Sequence, residues 1–213
     1  GSADIVAFLD DDAVLLGRAE RIRQAFEQEP SLAAVSLRLV DDDGRSLSRH
    51  VPRLGGSDPS ISGPVVHCLG GASAIRRSAY EGAGGYFVDL FYGHEEIELS
   101  WRLIDAGWSI RYLADVEVVH PRTEISRHAE GWRLTGRNRV WIARRTLPWP
   151  VAVVHTLTWL LLGLVRCGAA NRRSYVAGWC TGWRTDWPSG VSRRPIRWAT
   201  VWRLTRLGRP PVV

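Results

Sequence analysis

Apolar and polar positions follow two different rhythms along this chain, and the change falls near residue 120. Residues 4–9, DIVAFL, form an apolar run that stops abruptly at Asp10-Asp11-Asp12. That is the pattern of a buried strand whose carboxyl end carries acids. Leu15, Ala19, Ile22 and Phe26 recur at helical spacing, which predicts a helix over 15–28, stopped by Pro30. Leu32 to Val40 reads as a second strand and Asp41-Asp42-Asp43-Gly44 as a solvated turn; 41–64, rich in Gly, Ser, Asp and Pro, reads as a surface loop. Strands are predicted over 65–69 and 72–75, on either side of Gly70-Gly71, with a short helix over 78–82. The best-defined helix covers 95–106: Ile97, Trp101 and Ile104 share a face, and Gly107 supplies the stop. Strands over 109–113 and 116–119 follow, and Pro121 closes the segment. Strands alternating with helices predict an α/β domain over 1–121.

From 122 to 213 the rhythm is helical. Residues 133–145 are amphipathic and basic, and further helices are expected over 171–185 and 196–207. Between them, 146–165 carries no formal charge. Its apolar core VAVVHTLTWLLLGLV falls short of the roughly 20 residues that cross a bilayer. Pro148 and Pro150 are expected to interrupt it further.

Composition sharpens this division. The chain has 213 residues, 45% hydrophobic and 23% charged, which is ordinary for a globular protein and excludes a disordered one. All 28 basic residues are Arg. Residues 1–120 hold 19 acidic and 11 basic side chains, whereas 121–213 hold 3 and 17, together with nine of the 11 Trp. An acidic α/β domain followed by an Arg- and Trp-rich helical tail predicts a tail that meets an anionic membrane surface. Trp149 and Trp159 would sit at headgroup level, near Arg144, Arg145, Arg166, Arg172 and Arg173. The expected location is peripheral, on the cytoplasmic face of the cell membrane. Cys68, Cys167 and Cys180 form no CxxC, so neither a zinc site nor a disulfide framework is expected. The chain opens Gly1-Ser2 and contains no Met, as a piece of a longer protein would.

Candidate chemistry gathers at three places. Asp10-Asp11-Asp12 ends a strand, and ligands of open α/β sheets bind outside the carboxyl ends of strands. Adjacent carboxylates repel one another unless a cation sits among them, and oxygen ligands select Mg²⁺ or Mn²⁺. Residues 93–103, GHEEIELSWRL, place Glu95, Glu96 and Glu98 in the first turn of a helix. The helix dipole favours acids there, which is a structural reason sufficient in itself. The aromatic Phe91-Tyr92 before Gly93-His94 adds a surface where a partly desolvated carboxylate acts as a base. His120, directly after an apolar strand, is a further ligand candidate.

In order, these segments resemble the family 2 inverting glycosyltransferases of GT-A fold, the group with bacterial rhamnosyl- and galactofuranosyltransferases. The resemblance rests on a strand ending in DDD, then GGASAIRRSAY, GGYFVDLFYGHEEIELSWRLIDAGW, a His-Pro step and TGRNRVW. It covers residues 4 to about 185. It implies the C-terminal part of a Rossmann-like GT-A nucleotide-diphospho-sugar transferase domain, followed by a helical, basic, Trp-rich tail. The half that binds the nucleotide base would lie upstream of Gly1. Residue by residue, the resemblance implies that Asp10, Asp12 and His120 hold Mn²⁺ or Mg²⁺ and that Glu96 is the catalytic base. It also implies that Asp11, Gly70, Gly71, Asp89, His94, Glu95, Arg137 and Asn138 line the donor and acceptor sites. Glu96 stands where the family more often has Asp, and Phe87-Val88 where many members have Asp-Glu.

The implied activity is inverting transfer of a sugar from a nucleotide-diphospho-sugar donor to a carbohydrate or lipid-linked acceptor hydroxyl, in cell-envelope polysaccharide or glycolipid synthesis. The alternative is a non-catalytic, membrane-associated assembly module of such an enzyme. Nucleic-acid binding, suggested by a pI near 9.9 and the interleaved Arg and Trp, is disfavoured. The acidic half would oppose a polyanion.

Overall fold

The computed structural model describes residues 2–46, 50–53, 58–121 and 130–213. Two compact units divide the chain. The first comprises Gly1–Gly85, Leu99–Arg122 and Arg206–Arg209; the second comprises Tyr86–Glu98, Thr123–Thr205 and Pro210–Val213. Residues 86–98 go with the helical unit, and the division passes through a helix.

The first unit is built on a mixed sheet of β1 (Ile5–Leu9), β2 (Val14–Leu15), β3 (Leu32–Val40), β4 (Gly63–Pro64), β5 (Ala72–Arg76) and β6 (Ser109–Val119). The strand order is β1-β5-β3-β6-β2, and β4 pairs with β6. β1 and β3 both run antiparallel to β5, and β6 runs parallel to β3. The carboxyl ends of β1, β3 and β6 thus share one edge of the sheet. Helix α1 (Ala19–Gln28) turns Ile22, Ala25 and Phe26 into a core with Leu32, Val35, Leu37, Leu113, Val116 and Val118. Helix α2 (Arg77–Gly82) follows β5 directly.

Three expected elements differ. Val14 and Leu15 pair with Val119 and Val118 rather than opening a helix, and α1 starts only at Ala19. Gly17 and Arg18 both take left-handed backbone, at φ 66° and 57°, and separate the two elements. Strands 109–113 and 116–119 are one strand, β6, whose register against β3 slips between Leu37–Leu113 and Arg38–Glu117. The bulge turns Asp115 toward Arg21, whose Nε donates to its carboxylate at 2.8 Å. Residues 65–68 are buried and Leu69 partly so, but they form no strand. Their backbone N–H groups find other acceptors: Val65 donates to the Ile110 carbonyl, Cys68 to Ser100 Oγ and Leu69 to Ser36 Oγ. Asp41, expected to be solvated, is buried and accepts from the N–H groups of Asp43 and Arg45.

The second unit consists of a short 3₁₀ turn at Val88–Leu90, the start of α3 (Glu95–Asp105), and helices α4 (Gly131–Thr146), α5 (Trp149–Arg166), α6 (Gly168–Arg184) and α7 (Trp198–Arg206). Glycines set the approach of α4 to α6. A Cβ on Gly136 would strike the Tyr175 carbonyl, and one on Gly178 the Arg133 carbonyl. Gly163 of α5 leaves room for the Tyr175 ring in the same way.

Pro148 and Pro150 do not interrupt α5. They cap and open it, where the missing N–H of proline costs nothing. With 18 residues and a mean hydropathy of 1.4, α5 is long and apolar enough to cross a membrane by length and composition. Trp159 is buried beneath the Arg139 and Arg166 guanidinium groups, so it cannot stand at a headgroup level. Arg144 and Arg145 are likewise engaged internally, Arg144 with Asp186 and the Thr185 carbonyl and Arg145 with Glu98.

Candidate functional site

The expected site residues fall into two groups, one in each unit. Asp10, Asp12 and His120 converge in the first unit, their ligand atoms all within 4.8 Å of one another. The topology explains why. β1 lies at one margin of the sheet and β2 beside β6 at the other, so the Asp10–Ala13 link runs across the shared carboxyl edge. His120 follows β6 on that edge, anchored by its N–H to the Val40 carbonyl. Its Nε2 stands 3.1 Å from Asp10 Oδ2 and 3.1 Å from Asp12 Oδ1.

The other ring nitrogen fixes the tautomer of the neutral ring. His120 Nδ1 lies 2.6 Å from the Pro121 carbonyl oxygen, which can only accept, so Nδ1 carries the proton. In the neutral ring Nε2 then presents a lone pair to two carboxylates. Three electron-rich donors converge, and a cation among them removes the repulsion. A histidine oriented through its far nitrogen is the usual arrangement at metal sites. Two carboxylates and one imidazole fit a divalent ion such as Mn²⁺.

Gly71 belongs to this group for a steric reason. A Cβ there would lie inside the Asp10 carboxylate, and the Gly71 carbonyl accepts from the Asp10 N–H at 3.2 Å. Gly70 borders open space, and Asp11 is exposed on the same turn.

Asp89, His94, Glu95, Glu96, Arg137 and Asn138 gather in the second unit around the entry to α3. The chain arrives there through three left-handed residues, Phe91 at φ 58°, Gly93 at 80° and His94 at 79°. Such backbone is rare outside glycine and persists only where surroundings impose it. Asn138 imposes it. Its side-chain amide is fully buried and donates to the carbonyls of Leu90, Tyr92 and Gly93 at 2.9, 2.8 and 3.0 Å. Arg137 donates to Asn138 Oδ1 and to the Asp89 and Leu90 carbonyls, which fixes the orientation of the amide. This pair, expected among ligand-contacting residues, holds the 89–93 loop. Asp89 accepts from the N–H and hydroxyl of Ser189.

The three acids of α3 have different surroundings. Glu98 is fully buried in an ion pair with Arg145, beside the Thr146 hydroxyl at 3.3 Å. Glu96 is partly exposed, yet poorly hydrated. Burial, and then the neighbouring Glu95 charge, push its carboxyl up to about 7, against a weaker opposing pull from Arg139. Sequence reasoning did not single out Arg139; it is a buried cation stacked 3.4 Å from the Trp159 ring centroid. Its position next to Arg137-Asn138 on a basic helix was the only available signal.

No protein-family model matches the chain, and no curated protein sequence matches it. Solved structures do. The chain matches a crystal structure of GalNAc-T7 with UDP, GalNAc and Mn²⁺ at TM-score 0.53 and 14% identity, over 85% of this chain and 40% of that one. A weaker match is the mannosyltransferase PcManGT from Pyrobaculum calidifontis in complex with GDP-Man and Mn²⁺, at TM-score 0.47 and 16% identity over 89% and 53%. The chain A197 from STIV matches at 0.39 and 20% over 56% and 59%. The chain therefore spans between two fifths and three fifths of the lengths of these solved chains. Its architecture is the α/β GT-A fold with a helical C-terminal region.

Proposed function

We propose that this chain is the metal- and acceptor-handling part of a nucleotide-diphospho-sugar glycosyltransferase that inverts the configuration of the transferred sugar. The observation that carries the reading is the convergence of Asp10, Asp12 and His120 on the carboxyl edge of a GT-A sheet. Asp10, Asp12 and His120 Nε2 would hold Mn²⁺, or alternatively Mg²⁺. When bound, such an ion neutralises the charge that develops on a leaving nucleoside diphosphate.

The chain's own residues supply the rest. Glu96 takes the proton from the acceptor hydroxyl while the oxygen of that hydroxyl forms the new bond to the anomeric carbon. The bond from that carbon to the diphosphate oxygen breaks, and the electron pair leaves with the nucleotide. A base with a carboxyl near 7 is suited to this task at neutral pH, because it is both available and basic enough. Arg137 and Asn138 position the loop before it. Asp89 and His94 stand beside that loop as candidates for the acceptor side. The solved structure of GalNAc-T7 with UDP, GalNAc and Mn²⁺, which shares this fold, supports a nucleotide-sugar donor.

Calorimetric titration with Mn²⁺ tests the ion site. The protein is expected to bind the ion, and Asp12→Ala to abolish binding without altering the circular dichroism spectrum. Equal affinity in Asp12→Ala and its parent would remove the assignment. Transfer assays separate the enzymatic reading from that of a non-catalytic module. Sugar transfer that Glu96→Gln lowers by about 10²–10⁴-fold supports the first.

A further inference from the structure

Helix α5 is divided lengthwise. At about 100° per residue, the buried residues Val151, Ala152, His155, Thr156, Trp159 and Gly163 occupy one arc. The exposed apolar residues Trp149, Val153, Val154, Leu157, Leu161 and Val165 occupy the opposite arc, which covers roughly 160°. Leu161 is 66% exposed and Val165 80%, so they are bare surface rather than rim. The strip extends about 24 Å along the helix at 1.5 Å per residue. A contiguous apolar face of that size is unusual in water and marks a surface that meets something apolar.

The charges around the strip identify the partner. Arg193 lies over the Trp149 ring, 4.7 Å from its centroid, at the N-terminal end. At the C-terminal end Arg172 donates to the Leu164 carbonyl, and Arg173 beside it is exposed. Residues 131–213 contain 15 Arg and a single acid, Asp186. A second protein surface would have to be both apolar and strongly acidic to match. An anionic bilayer is both by construction, with hydrocarbon below and phosphates at the level of the helix ends.

We infer that the exposed arc of α5 is a membrane-docking face, and that the helix lies along an anionic bilayer rather than crossing it. The buried arc packs on α4 and α6, which carry Arg133, Arg137, Arg139, Arg144, Arg145, Arg172, Arg173 and Arg184 between them. Crossing would draw those arginines into hydrocarbon, where guanidinium groups are costly. Lying flat buries only the apolar arc and keeps those arginines out of the hydrocarbon. The docking face is independent of the proposed sugar transfer.

Vesicle sedimentation tests the inference. The protein is expected to pellet with vesicles containing one-third phosphatidylglycerol and to stay in solution with pure phosphatidylcholine, and the binding should weaken at 0.5 M salt. Leu157→Asp/Leu161→Asp should abolish pelleting with an unchanged thermal midpoint, because both sites are exposed. Arg172→Gln/Arg173→Gln should weaken it by about tenfold or more, as expected for two arginines near a charged surface. Sodium carbonate at pH 11 should release the bound protein, as it does proteins that do not cross. The inference fails if the protein remains in the supernatant at low salt, or if the aspartate pair binds like its parent. It fails equally if carbonate leaves the protein in the pellet. Sedimentation equilibrium covers the case of a second copy: a dimer split by the aspartate pair, with no vesicle binding, would assign the face to self-association instead.

Discussion

Glu96 and Glu98 stand two positions apart on one helix and share no function. Glu98 points inward to Arg145, and its ion pair is part of the fold. Glu96 meets neither a full ion pair nor full hydration, and this raises its carboxyl to about 7. The sign of the stability effect follows. Between pH 4.5 and 7 the folded protein keeps a proton on Glu96 that the unfolded chain has released, so folding stability falls as pH rises through that window. Glu96→Gln should flatten this part of the profile, read as the urea midpoint at pH 5 and pH 7.5. Identical slopes in variant and parent would show that the carboxyl ionises normally. Catalysis should run the opposite way, with kcat/KM rising through about pH 7 as the base loses its proton. Glu96→Gln should lower turnover by about 10²–10⁴-fold.

At the scale of elements, the 88–94 loop is the piece with the least local support. Two non-glycine residues in left-handed backbone cost on the order of 1–2 kcal/mol each, and the buried amide of Asn138 repays this with bonds to three carbonyls. Asn138→Ala should free the loop and misplace Glu96. Turnover should fall by about 10²-fold, the scale of loss for an ångström of misplacement. The variant's Mn²⁺ affinity should stay that of the parent, since the proposed ligands Asp10, Asp12 and His120 belong to the other unit. Loss of both together would indicate general unfolding instead. None of this was visible in the spacing of residues. The apolar rhythm located α3 to within a residue, because one face of it is core, but it carries no record of which side chain satisfies a loop carbonyl. Residues 65–69 failed for the same reason. Apolar burial looked like a strand, whereas the hydroxyls of Ser36 and Ser100 do the work of a strand partner.

For the whole molecule, the sequence revealed the division into an acidic sheet-bearing part and a basic helical part, because charge and periodicity change together. No pattern within α3 announces that its first turn belongs with helices 30 or more residues downstream. The acidic group at Asp10–Asp12 was the most legible feature, as a strand that ends in acids needs little context. Its reach was not. The Asp10–Ala13 link joins β1 on one margin to β2 on the other, and His120 ties the same point to β6. An ion held there would act as a clasp on the sheet, so binding and unfolding are thermodynamically linked. The melting temperature should climb with the logarithm of Mn²⁺ concentration, by about 2.7 kcal/mol of added stability at a hundredfold excess over the dissociation constant. Amide exchange should slow at Val14 and Leu15, far from the ion in strand order, as well as at Leu9. Protection confined to β1 would show that the link does not carry the constraint across the sheet.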